Sequence, residues 1–255
     1  MRWLWLPIAL IVLAMSTLLL APATWLDWAL QRYSHGALTL ANAEGRLWHG
    51  RGILQAMLPG SQVASLANAA WAVQGRALLK GRLQVRVSDQ QTGQAILVAG
   101  WSPGGVHLDR AQLQLPAELL GRFSKTLAGL SLTGPMLLTA DGVSFSGSTV
   151  QGRASLDWRN AGSGMTSVRP LGDYRLDWTG SGDHLAFALM SQGGSLALNG
   201  AGIWRPSGDF EFKGEARVAP GKEAELAPLL RMMGRQEGAG VYAINLDSTT
   251  GLAGR

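Results

Sequence analysis

The sequence predicts an all-β fold with minor helix: an N-terminal transmembrane helix followed by one large, mostly antiparallel, curved sheet, an incomplete barrel or a sandwich. Three observations carry that expectation. Between Leu156 and Trp204 apolar and polar residues alternate with a period of two, broken by turn residues, which is the signature of a sheet with one wet face. Glycine occupies 34 of the 255 positions, and each interior glycine costs a helix about 1 kcal/mol relative to alanine. Between Arg2 and Asp27 there is no charged residue at all.

Composition narrows the class of protein. Hydrophobic residues make up 47% and charged residues 15%, so the chain is not disordered and can bury a sizeable core. The formal charge of +5 comes from Lys and Arg scattered singly rather than clustered, which reads as solubility rather than as a nucleic-acid surface. Cysteine is absent. That excludes disulfides, thiolate zinc sites and thiol catalysis together.

Taken in order, the segment Trp3 to Trp25 is long enough to span a bilayer, with Trp3, Trp5, Trp25 and Trp28 where an interfacial aromatic belt would stand. Ala21-Pro22-Ala23 offers a signal-peptidase site, but the apolar run exceeds the 7 to 15 residues usual for a signal peptide, so an uncleaved anchor is expected. Arg2 keeps the N-terminus cytoplasmic and the bulk of the chain periplasmic, in a single-pass protein of the bacterial inner membrane. Residues 1–33 are therefore expected to be the anchor and a juxtamembrane helix, 34–246 a periplasmic β-rich domain, and 247–255 a loosely ordered tail.

Strands are expected over Ala37 to Ala41, Gly45 to Ile53, Trp71 to Val73 and Gly81 to Val87, then one helical turn at Pro116 to Leu120. Alternation resumes from Gly129 to Thr139 and from Val143 to Phe145. The central stretch then places Trp158, Tyr174, Leu176, Trp178, Leu185, Phe187 and Leu198 on one buried sheet face, with hairpin turns at Gly180 to Asp183 and Gln192 to Gly194. Asp209 to Val218 and Val241 to Leu246 close the sheet. Between them, Lys222 to Gly234 has the spacing of a short helix, and Pro228, which should kink or restart it, leaves two short segments and one long one as equal alternatives. Leucine turns following Trp71 and Trp158 at some distance raise the expectation of two similar β-rich halves.

Candidate chemistry is sparse. His35, His49, His107 and His184 have no partner at metal-ligand spacing, and Asp173 and Asp177 read as the solvated side of a strand. No nucleophile elbow or phosphate loop stands in a supporting context, so the sequence implies no enzyme, no metal and no cofactor. One segment is singled out as a partner contact, Pro170, Leu171, Gly172, Asp173 and Tyr174. Proline and glycine make it a rigid turn, which either only sets strand register or, with Leu171 outward, presents a preorganised surface to a partner.

Several of these pieces recur in a known order: Gly45-Arg46-Leu47-Trp48-His49-Gly50, Asp157-Trp158-Arg159-Asn160-Ala161, Pro170 to Leu176, Gly194 to Trp204, and Glu225-Leu226 through Leu229-Leu230. Together with the apolar N-terminus they resemble protein N of the bacterial type II secretion system. Gly193-Gly194-Ser195 departs from the Gly-Pro usual there. The resemblance implies a non-enzymatic accessory component of that system, held in the inner membrane, contacting other secretion-system subunits and supporting export of folded proteins. A different class meets the same pattern: a periplasmic lipid-handling protein, in which the apolar face of an unclosed sheet is a groove for acyl chains. Alternation alone is the same for a filled core and for a groove.

Overall fold

The computed structural model describes residues 20–58, 62–74, 81–123 and 125–247, with positions 13, 16, 17 and 60 besides. The first element whose bounds lie within the described residues is helix α1 (Thr24–Tyr33), followed by strands β1 (Leu38–Arg46), β2 (His49–Met57), β3 (Val63–Val73), β4 (Leu83–Asp89), β5 (Ala95–Ser102) and β6 (Gly105–Pro116). A 3-10 turn (Ala117–Leu119) leads into α2 (Leu120–Phe123) and α3 (Lys125–Leu130). The second run comprises β7 (Leu132–Thr133), β8 (Pro135–Ser146), β9 (Thr149–Ser163), β10 (Gly172–Gly182), β11 (Leu185–Gly194), β12 (Leu196–Trp204) and β13 (Phe210–Val218). Helix α4 (Glu223–Met233), β14 (Arg235–Gly238) and β15 (Val241–Asp247) end it.

Each strand lies antiparallel beside its predecessor from β1 to β6 and from β8 to β13, and β6 pairs directly with β8, so two meanders form one sheet. β15 then pairs with β13, and β14 takes the outer place. The sheet curls, since β3 touches β6 and β10 touches β12 although they are not neighbours, yet β1 and β14 are not paired with each other and the sheet stays unclosed. Short hairpins suffice for this topology because antiparallel strands need only a two-residue connection, as between Arg46 and His49.

Register puts all seven expected core residues on one face, here called the inner face: Trp158 opposes Tyr174, Leu176 opposes Leu189, Trp178 opposes Phe187, Leu185 opposes Trp204, and Leu198 opposes Ala216. Of the seven, only Tyr174 and Leu198 are buried; the others are half-buried. The outer face is polar and carries Arg175 paired with Asp157 and Asp177, Lys213 with Glu211, and Arg217 with Glu215.

Two clusters sit on the inner face. Over β1 and β3, Leu26 and Leu30 of α1 pack on Ala23, Leu40 and Trp71, and Asp27 Oδ1 accepts from the Leu40 amide at 2.7 Å, tying helix to strand. Over β10 to β15, α4 inserts Leu226, Leu229 and Leu230, each at most 2% exposed, against Tyr174, Leu196, Phe212 and Tyr242. The segment between β9 and β10 is held onto α4 by Thr166 Oγ1 donating to Glu225 O and Ser167 Oγ to Glu225 Oε2, both at 3.1 Å.

Several expectations are corrected. Gly45 to Ile53 is not one strand but a hairpin spanning β1 and β2, because Gly50 lies under the Trp71 ring and pairs back with Gly45. Of the two alternatives for Lys222 to Gly234, the structure has the single helix: α4 runs through Pro228, with buried leucines on both sides of the proline. Gly129 belongs to α3 rather than to a strand. The segment Trp3 to Trp25 lies mostly outside the described residues, as does the tail after Asp247. Among the described residues no helix is long and apolar enough to cross a membrane.

Candidate functional site

The inner face between the two clusters is an apolar trough. Its floor is built of matched rows, because residues paired across antiparallel strands point the same way. Leu138 on β8, Leu156 on β9, Leu176 on β10 and Leu189 on β11 oppose one another in sequence and form a continuous leucine row. Above it run Leu115, Met136, Trp158 and Tyr174. Below it, Trp178 opposes Phe187, whose ring stacks with Phe210 and Phe212 at centroid distances of 5.6 and 5.8 Å. Those rings lie flat on the sheet because Gly200 and Gly202 stand beneath them, where a Cβ would collide with Phe212 and Phe187.

The trough's upper wall comes from outside the sheet: Leu120, Leu127, Leu130 and Leu132 from the α2–α3 segment and its exit, and Leu229 from α4. Arg122 fixes the α2–α3 segment by donating to Met57 O and Leu58 O at 3.0 and 3.2 Å, so this segment also ties the two meanders together. The enclosed space is about 500 Å³, within the range of small-molecule sites.

None of the described lining residues is charged. Of their polar side-chain groups, all but the Trp178 indole N–H are engaged in hydrogen bonds within the chain. Trp158 Nε1–H donates to Thr133 O at 3.1 Å, Tyr174 O–H to Leu196 O at 2.7 Å, and Ser163 Oγ–H to Leu130 O at 2.6 Å. Burial, with a smaller contribution from the nearby Asp173 carboxylate, pushes the Tyr174 phenol well above its ordinary pKa, so it stays a neutral donor. The described wall is therefore almost wholly hydrocarbon.

The segment singled out in the sequence borders this trough. Leu171 faces inward, so the alternative in which it points outward to a partner does not hold for this residue: it is 4% exposed and lines the trough. Gly172 and Tyr174 are buried too, and Gly172 is pressed so closely against Gly193 and Gly194 that neither Gly172 nor Gly194 has room for a Cβ. Asp173 Oδ1 accepts from the Asn160 amide at 2.7 Å, and Pro170 stays exposed. The histidines do not converge: His184 Nδ1 lies 2.7 Å from Asp183 Oδ1, and among the described residues no three His, Asp or Glu side chains come together.

Strands β5 and β6 escaped the sequence reading, and with them Leu113 and Leu115. Their signal was present but broken. On β6 the apolar residues fall at Val106 and Leu108 and then at Ala111, Leu113 and Leu115, and this change of parity coincides with the register shift between β5 and β6. On β8 the same slip separates Met136, Leu138 and Ala140 from Val143 and Phe145, where the ladder to β9 shifts between Asp141 and Ser144.

With the geometry described, comparison with known families settles the kinship. The model of one family, type II secretion system (T2SS), protein N, matches residues 36–245. The chain belongs to this protein N family. The match takes in every strand from β1 onward, apart from the last two residues of β15, and every residue lining the trough. No curated protein and no solved structure matches the chain. Kinship with protein N is kinship with a component of a secretion system, and the trough is part of what the family match covers.

Proposed function

We propose that this chain is a non-enzymatic accessory component of the type II secretion system, anchored in the inner membrane by residues 3–25, with its sheet in the periplasm, supporting export of folded proteins across the outer membrane. The family match over residues 36–245 carries this reading. The region around α1 supports the topology. Trp25 and Trp28 are 48% and 68% exposed on a helix that directly follows the uncharged N-terminal run, as residues at a bilayer surface would be. Asp27 fastens that helix to β1, so the sheet stands close to the membrane. The partners are other subunits of the system. At the turn before β10, contact with them falls to Pro170 and Asp173, the members that burial leaves within reach.

The test combines export and topology. In a secreting host lacking the chromosomal copy, an exported reporter enzyme is expected to collect in the periplasm and to reach the medium again when the full chain is restored. Alkaline phosphatase fused after Arg159 is expected to be active. Unchanged export without the chain would overturn the secretion role, and an inactive fusion would overturn the orientation.

A further inference from the structure

We infer that the trough holds the hydrocarbon tail of a membrane lipid, one acyl chain laid across β6 to β11 beneath α4 and the α2–α3 segment. The inference rests on the placement of the sheet beside the inner membrane, and reaches beyond a secretion role to a ligand. Three observations carry it: the absence of charge among the wall's described residues, with all but one of their polar hydrogens already donated, its length, and its partial exposure.

The wall selects for hydrocarbon. Among the described lining residues the polar hydrogens stand on Trp158, Trp178, Tyr174 and Ser163, and those of Trp158, Tyr174 and Ser163 are already donated to Thr133 O, Leu196 O and Leu130 O. Water needs two to four polar partners at a buried site, and the single indole N–H of Trp178 does not supply them. An extended peptide would bring an unpaired N–H and C=O at every residue. A helix satisfies its own backbone but, with its side chains, is a cylinder about 10–12 Å across. An uncharged chain one carbon wide brings neither unpaired polar groups nor that breadth.

Length agrees as well. From Leu115 on β6 to Leu189 on β11 the trough crosses four strand intervals, about 19 Å at 4.7–4.9 Å each. One leaflet of a bilayer's hydrocarbon core is about 15 Å thick, half of about 30 Å. Exposure gives the opening. Leu138, Leu156, Leu176, Trp178 and Leu189 are half-buried although contiguous and apolar, a surface that water leaves at a gain once it is covered. At the strand ends away from α4, the same face continues as Trp101, Val106 and Phe145, paired across β5, β6 and β8 and 54%, 50% and 43% exposed. That rim is where a tail enters and where the polar head remains in water.

The test is photolabelling of the full chain in its membranes with a palmitic acid bearing a mid-chain diazirine, followed by peptide mapping. Adducts are expected in residues 136–138, 156–158 and 174–178, together with adducts in residues 1–25 that report only the bilayer. The double variant Leu156→Gln and Leu176→Gln is expected to lower the trough adducts at least tenfold and leave the bilayer adducts unchanged, while a cooperative circular-dichroism melt shows that it still folds. Leu138→Phe, which fills space without adding a polar atom to the floor, gives the same loss where the glutamines do not fold. Adducts confined to residues 1–25, trough adducts undiminished in a folded variant, or trough residues joined to a polypeptide instead would each overturn the inference. Labelling that behaves as expected in a strain whose export is unaffected by the chain leaves the lipid site standing and removes the secretion role.

Discussion

The meander β1 to β6 and the region from β8 to β15 share a construction, consecutive antiparallel hairpins with one apolar face, and differ in how much of that face is buried. Over the first, the buried cluster is Ala23, Leu40 and Trp71. Over the second, it takes in strand residues, three leucines of α4 and Leu171 from the preceding segment. What separates them is the material laid on the sheet. The strands of the first meander are also poorer in large side chains: β3 reads Val-Ala-Ser-Leu-Ala-Asn-Ala-Ala-Trp-Ala-Val, so one indole stands in for a row of leucines. A curled sheet makes a core only where a helix or a returning segment covers it, and between the two covered places it leaves the trough.

The largest effects test whether the two regions are held independently. Trp71 is 5% exposed, covers Gly50, and donates from Nε1 to both Arg46 O and Leu47 O at 3.2 Å. Trp71→Ala should cost about 3–5 kcal/mol and raise hydrogen exchange in β1 to β3 while sparing β10 to β13. Leu230→Ala, at a fully buried position of α4, should cost about 2–5 kcal/mol with the opposite pattern of exchange. Loss of protection on both sides from either variant would show that β6 and β8 couple the meanders into one cooperative unit.

A smaller effect sharpens the contrast through pH. The tyrosines are Tyr33, Tyr174 and Tyr242, and none stands on β1 to β6. Burial raises the pKa of Tyr174 in the folded chain, so as pH rises through about 10 the unfolded chain loses this proton and the folded chain keeps it. The unfolded state then binds fewer protons, and stability falls with rising pH. Tyr174→Phe should cost about 1 kcal/mol at neutral pH through the lost bond to Leu196 O and flatten the alkaline decline. A decline just as steep in Tyr174→Phe would assign it to another group.

The sequence was most readable where one rule governed a whole element. β10 to β13 keep strict alternation, so their shared face was correctly assigned from period alone; α4 was located by its leucine spacing. Reading failed where two rules met. At Asp109-Arg110 and Asp141-Gly142 a bulge shifts parity, and alternation counted across it cancels. At Pro228 local propensity and leucine spacing left one helix and two segments equally open, and the structure, with three buried leucines around the proline, has one. For Leu171 the sequence left two alternatives open, because the turn motif fixes the backbone but does not say which side of it the chain's own interior lies on. The trough itself was legible only as an alternative, because alternation states which face is apolar and is silent on what covers it.

The smallest effects decide whether that face is open. Leu176 is a half-buried wall residue of the trough, whereas Arg175, its neighbour, points the other way and pairs with Asp157 at 3.4 Å and Asp177 at 3.0 Å. A fully buried leucine costs about 2–5 kcal/mol on truncation. A leucine with one side free loses fewer contacts and leaves no closed cavity, so Leu176→Ala should cost about 1–2 kcal/mol. Arg175→Ala should stay within about 0.5 kcal/mol, since ion pairs of this exposure are worth little. Chemical denaturation of both variants beside Leu230→Ala orders the three. If Leu176→Ala matched Leu230→Ala, the trough would be a filled core and the difference between covered and uncovered sheet would vanish. If Arg175→Ala proved the more damaging of the neighbours, the register would be off by one and the inner and outer faces exchanged, since a slip of one residue turns every side chain of a strand over.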